Sequence, residues 1–221
     1  MKALPFRCLR AGSQLAQIEH AEEIAPLLAD GTYLQDGTPS YFAWSVSGDA
    51  GTRTGVIAAC SIAKLIPMVE VLGEPDDRAK AAIEGEAGRL GTLGCQDAPV
   101  AIAVPTDPVR DLIVGAACAA TPVYRFTLED GTHTLWEIKR EDAVEALRAL
   151  LERTEAVSVA DPIRAAATVR ASRALRDTAK EAGAYTGREP FNWFMAALFA
   201  EDDLADGTPQ LPSCLILREL L

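Results

Sequence analysis

The feature that most constrains this chain is the shortness of its apolar runs and the punctuation between them. The longest, such as Ala98–Pro105 and Leu112–Ala120, are too brief to cross a bilayer. Turn residues separate them at close intervals. Val123–Leu128 and Thr132–Ile138 flank Glu129-Asp130-Gly131, a strong hairpin signal. Glu141–Arg153 follows, with Val144, Leu147, Leu150 and Leu151 in one stripe, which predicts an amphipathic helix. Strands and helices thus mix without strict βαβ alternation. The pattern predicts an α+β fold, a mixed β-sheet with flanking helices.

The same reading predicts strands at Leu4–Leu9, Ser40–Ser47, Thr54–Ile62, Pro99–Val104, Val157–Ala160 and Phe191–Ala200, with Pro209–Leu217 as a further candidate. Ser47–Arg53 reads as a hairpin loop, and Asp30-Gly31 and Asp36-Gly37 as turns around a short extended piece. Helices are expected over Gln14–Ala29, from Asp76-Asp77-Arg78 toward Arg89, and from Asp107-Pro108 to about Ala119. Asp161-Pro162 starts a long helix that Gly183 ends. Length and composition, with 221 residues, 49% hydrophobic and 24% charged, fit one domain over residues 1–221 or two subdomains, 1–120 and 121–221.

The net charge of -11 makes nucleic acid a poor partner, because an acidic surface repels phosphate backbones. No polybasic segment argues for lipid contact. Met1–Arg7 lacks a continuous apolar core, so the reading is a cytoplasmic chain without a signal peptide. The five cysteines include no CxxC pair and read as free thiols, with Cys60 and Cys118 in apolar runs. Two histidines are too few for a usual zinc site. His133 reads as a solvated or cross-strand residue and His20 as an exposed helical one.

No Walker loop, GxGxxG after a strand, or GxSxG elbow is present. The Ala160–Arg164 segment carries more chemistry. A strand ends there and a helix begins, which aims backbone N–H groups at whatever lies above the sheet edge. Arg164 and Arg170 add charge-assisted donors for a phosphate or carboxylate. The alternative is a plain N-cap with solvated arginines. Asp76-Asp77-Arg78 has the same two readings, and Glu84-Glu86 reads as ordinary surface charge.

Several segments together resemble the bacterial family known as domain of unknown function 1015. They are Pro5–Arg10, Gln35-Asp36 with Ser40-Tyr41-Phe42, Gly55–Ala58, Asp76–Arg78, Asp130–His133 with Leu135-Trp136, Val159–Asp161, and Thr186–Asn192 with Met195-Ala196. The resemblance implies a ParB/sulfiredoxin-like core and kinship with free-serine kinases. In those, an Asp-Gly-His-His-Arg turn handles phosphates and a glutamate activates the serine hydroxyl. It also implies a nucleotide site, for ATP or ADP with Mg²⁺, at Asp161, Ile163, Arg164 and Arg78.

This chain departs from that pattern at the chemistry itself. Pro162 and Ile163 stand where Gly and the first His belong, and Arg164 falls at the second His or, with a gap, the Arg. The Lys-His-Glu motif reads Lys64-Leu65-Ile66-Pro67-Met68, leaving Glu70 as the nearest carboxylate. An aliphatic side chain takes no proton from a hydroxyl. Three readings follow. One is a degenerate kinase-like protein with an anion or nucleotide pocket. Another is an active small-molecule kinase with relocated residues, Glu70 and Asp77 as the catalytic carboxylates beside Arg78, Asp161 and Arg164. The last is a non-catalytic subunit, a homo-oligomer or protein partner docking through the apolar Leu215–Leu221 segment.

Overall fold

The computed structural model describes residues 2–11, 24–49, 51–105, 109–118, 121–205, 207–209 and 215–219. In chain order the elements are β1 (Ala3–Leu4), β2 (Arg7–Ala11), α1 (Ile24–Ala29), β3 (Tyr33–Gln35), β4 (Tyr41–Gly48) and β5 (Gly51–Ser61). Then come α2 (Ile62–Glu70), α3 (Asp77–Leu93), β6 (Val100–Val104), α4 (Val109–Cys118), β7 (Pro122–Leu128), β8 (Gly131–Ile138) and α5 (Glu141–Arg153). The chain continues through β9 (Ser158–Val159), α6 (Pro162–Glu181), a 3-10 turn at Pro190–Asn192, β10 (Trp193–Ala200), a second at Glu201–Leu204, and β11 (Leu215–Glu219).

These elements form the expected α+β fold. The large sheet has the order β7-β8-β4-β5-β10-β6-β9, with β1 also pairing β5, and the small one is β11-β2-β3. The large sheet is mixed: β10 runs antiparallel to β5 and parallel to β6. The run that reads as one strand over Leu4–Leu9 divides in two. Pro5 separates β1, which joins the large sheet at β5, from β2, which joins the small one. The Gln14–Ala29 helix is seen from Ile24, and its earlier part, with His20, lies outside the described residues. The Asp107-Pro108 cap also lies outside them.

Strand alternation explains why β4 sits centrally. Trp44 and Val46 point to a core shared with Ile57, Leu135 and Phe199, while Tyr41 and Ala43 point to the other, beneath Leu147, Leu151 and Val169. Nearer the hairpin tips the second face turns polar, and Ser45, Ser47, Thr52, Thr54, Thr132 and Thr134 stand in cross-strand register. The Ser47–Arg53 loop is tighter than expected, since Gly48 and Gly51 already face each other as strand partners. Glycine is required at the tip of the neighbouring hairpin. Gly131 has φ +133°, and a Cβ there would sit 2.4 Å from the Ser47 carbonyl oxygen.

α2 occupies the Lys64–Met68 segment, for which the sequence suggested no element. It forms despite Pro67 because Ile62 and Leu65 are buried in the core. α3 runs to Leu93 through its three glycines and ends on Gly94 at φ +64°, whose N–H returns to the Leu90 carbonyl at 2.9 Å. Phe191 and Asn192 belong to a 3-10 turn, so β10 begins at Trp193. Cys8, Cys60 and Cys95 are buried and outside any disulfide, as expected, and burial pushes the Cys60 thiol up to about 12.

Candidate functional site

The site is built around the start of α6. β9 pairs with the end of β6, and the Ala160 N–H donates to the Ala101 carbonyl at 3.0 Å. The chain then turns. Asp161 takes the N-cap, its carboxylate accepting from the Arg164 N–H at 3.0 Å, and Pro162 opens the helix. That part of the reading is realised. The cap also consumes a donor, because the Arg164 N–H serves the helix itself and Pro162 has none.

Arg164 does not face an open space alone. Its Nη1 lies 3.2 Å from Glu86 Oε1, and its Nε lies 3.6 Å from Asp161 Oδ2. Glu86 is also gripped by Arg89 through Nε at 2.8 Å and Nη2 at 2.9 Å. Arg89 forks in the other direction to both oxygens of Asp97, at 2.7 and 2.9 Å. The hydrogen bond from Arg89 holds the Glu86 carboxyl below its ordinary range, against a smaller desolvation cost. The bonds to Glu86 and then Asp97 raise the Arg89 guanidinium. Three carboxylates and two guanidiniums therefore form one network joining α6, α3 and the approach to β6.

The other residues suggested by the sequence stand apart from this network. Glu70, at the end of α2, pairs with Arg173 at 3.3 Å, and both are exposed. Arg173 is nine residues beyond Arg164, about 13 Å along the helix. Asp76 caps α3 by accepting from the Ala79 N–H at 2.8 Å. Asp77 is fully exposed, with Lys80 at 3.9 Å. Arg78 is exposed in the same turn, and Ile163 is 41% exposed. No hydrogen bond or ion pair among the described residues joins Glu70, Asp77 or Arg78 to Asp161 or Arg164. Arg170 turns outward to Glu84 at 3.0 Å. Leu65, in the Lys64–Met68 segment, is packed in the core.

Sequence reasoning missed Glu86, Arg89 and Asp97. Glu86 and Arg89 stand three apart on a helix, a spacing that signals a pair, but Asp97 lies in a loop with no local signal. The reading of Glu86 as ordinary surface charge is therefore corrected, since it is half-buried between two guanidiniums.

A small cavity of about 30 Å³ lies farther along α6, between Leu90, Cys95, Ser172, Leu175, Phe191 and Leu217. It has room for water-sized groups. Its polar walls are engaged: Ser172 Oγ donates to the Phe191 carbonyl at 2.5 Å, and Gln96 bonds the Trp193 carbonyl and the Met195 N–H. The Thr186–Asn192 segment closes one side. There Glu189 accepts from the Thr186 N–H and hydroxyl, the Gly187 N–H at 2.9 Å and Asn192 Nδ2 at 3.0 Å, and Arg176 donates to Asn192 Oδ1 at 3.0 Å.

Of the Leu215–Leu221 segment read as a docking surface, the structure describes Leu215–Glu219, which forms β11. β11 pairs with β2, Leu217 is buried, and its N–H and carbonyl both bond Gln96. Among the described residues, no group of three or more His, Cys, Asp or Glu is placed to hold a metal ion, and no helix is long and apolar enough to cross a membrane. No curated protein and no solved structure matches the chain. A family model described as a protein of unknown function, DUF1015, matches residues 11–205, and the chain belongs to that family.

Proposed function

We propose that this chain is a non-catalytic relative of ParB-like nucleotide-dependent serine kinases, in which the phosphate-handling turn has become a structural cap. One observation carries the reading: Arg164, the side chain in line to meet a phosphate, is engaged by Glu86 and Asp161. Phosphoryl transfer depends on positioned positive charge and an oriented nucleophile. Here the local charge has one more carboxylate than guanidinium, and aliphatic side chains occupy the place of the general base. The residues present do not fit ATP or ADP with Mg²⁺ as a catalytic pair. Of the first donors of α6, Pro162 has no N–H and that of Arg164 bonds Asp161. An anion at this turn binds weakly, in the millimolar range, and more weakly still as salt rises.

The test is phosphoserine formation from free serine with ATP or ADP and Mg²⁺, with calorimetric titration of the same nucleotides and of phosphate. The expected results are no turnover and at best millimolar binding. Turnover of about one per second or faster defeats the proposal and favours the relocated set of Glu70 and Asp77.

A further inference from the structure

The sheet edges of this molecule are unequally protected. β9, which ends the large sheet on one side, has two residues, and β3, an edge of the small sheet, has three. The outer side of β11 is met at Leu217 by Gln96. β7, at the other end of the large sheet, has seven residues and no strand on its outer side among the described residues. Pro122 and a register shift before Tyr124 blunt only its start. From Tyr124 to Leu128 the edge is regular.

The hairpin decides which backbone groups this edge presents. Leu128 and Gly131 are partners across a two-residue loop, so they form the closing hydrogen-bonded pair. Alternation puts Phe126 with His133 in the same class and leaves Arg125 and Thr127 with N–H and C=O groups turned away from β8. Both residues are exposed, as is Glu129 just beyond the strand. Neither Arg125 nor Glu129 has an ion pair among the described residues. On the other face of the strand, Phe126 is half-buried and Leu128 is 37% exposed.

We propose that β7 pairs antiparallel with β7 of a second copy of this chain, about a two-fold axis at Thr127. In this register Thr127 meets Thr127 and exchanges both hydrogen bonds, Phe126 meets Leu128, and Arg125 meets Glu129 twice. The contact is isologous and joins two large sheets into one. Charge selects the register. An axis at Arg125 sets the two guanidiniums against each other, and one at Phe126 leaves Arg125 opposite Thr127 and Glu129 opposite Val123. A five-residue edge is small beside a standard interface of about 1,600 Å², so the dimer forms in a concentration-dependent way. The proposal stands independently of the reading at Asp161.

Sedimentation velocity on the full chain, up to about 0.5 mM, tests it. The expected result is a shift from 23.5 kDa toward twice that mass. Thr127→Pro removes the outward N–H, along with an exposed hydroxyl contact to Thr132 at 3.4 Å, and is expected to weaken the dimer by roughly tenfold or more, with the far-ultraviolet spectrum unchanged. Should that variant unfold, Arg125→Glu serves instead: it is expected to weaken association, and adding Glu129→Arg to restore it. A wild-type chain that stays monomeric overturns the proposal, including one that captures an unrelated extended peptide along β7. So does a dimer that neither Thr127→Pro nor Arg125→Glu weakens.

Discussion

His133 is the clearest case of a residue whose environment dictates its chemical form. Its ring lies between Trp44 and Phe126, with centroids 5.7 and 5.1 Å away, and it is fully buried. The Trp44 indole is a donor only, and its Nε1 lies 3.2 Å from His133 Nδ1. Nδ1 must therefore accept, which puts the proton on Nε2, 2.7 Å from Asp130 Oδ1. Nitrogen NMR is expected to show this tautomer, and a proton on Nδ1 contradicts the account. Trp44→Phe strands Nδ1 in the core and is expected to cost about 1–3 kcal/mol, read from the urea midpoint. Glu189 makes a second residue-level prediction. Desolvation favours its neutral form, but the Thr186 N–H and hydroxyl and the Gly187 N–H outweigh that and hold its carboxyl at about 2. A lowered folded value stabilises the loop above the ordinary 4.5, and that support disappears as pH falls from 4.5 toward 2. Protection of the Thr186–Asn192 amides, taken relative to the intrinsic exchange rate at each pH, is expected to fall over this window in the wild type. Glu189→Gln exchanges quickly throughout, and an unchanged profile in that variant refutes the role.

At the scale of elements, β5 and β10 press together at Gly55, which faces Phe199 in one register and Trp44 in the other. A Cβ on Gly55 would lie 2.6 Å from the Leu198 carbonyl oxygen and 2.8 Å from the Phe199 ring. Gly55→Ala is expected to destabilise the chain by about 1–3 kcal/mol, and a neutral melting temperature excludes this packing. Asp161→Ala removes the α6 cap at an expected cost of about 0.5–2 kcal/mol. The same measurement decides whether Asp161 is structural, since a residue kept only for ligand binding is lost without thermal penalty. Elements were legible where a local rule was strong. Glu141–Arg153 is a helix to the residue, because its stripe is unambiguous and polar residues flank it. α2 was not legible: Pro67 signals a break, and Ile62–Glu70 is only nine residues long with Lys64 and Glu70 as its charged side chains. Tertiary burial of Ile62 and Leu65 overrides both.

For the whole molecule, the large sheet interleaves distant parts of the chain. β8 inserts beside β4, and β10 lies between β5 and β6. Neither 1–120 nor 121–221 can complete a sheet without the other. Equilibrium unfolding is expected to give coincident transitions by circular dichroism and by fluorescence of Trp44, Trp136 and Trp193. Two separated transitions sink this expectation and favour independent subdomains.

The sequence by itself determined most of the elements in their order, the helix starts at Asp76 and Asp161, and the Glu129–Gly131 hairpin. Each depends on residues a few positions apart, where backbone geometry and side-chain period act directly. Only the tertiary structure decided that β10 runs parallel to β6, that Pro5 sends the chain from one sheet to another, and that Glu86 and Asp97 tie Arg164 and Arg89 into one network. It also decided that the last strand lies against β2 within the chain. Those outcomes rest on contacts between segments far apart in sequence, whose register follows from packing whole sheets together and not from any local pattern.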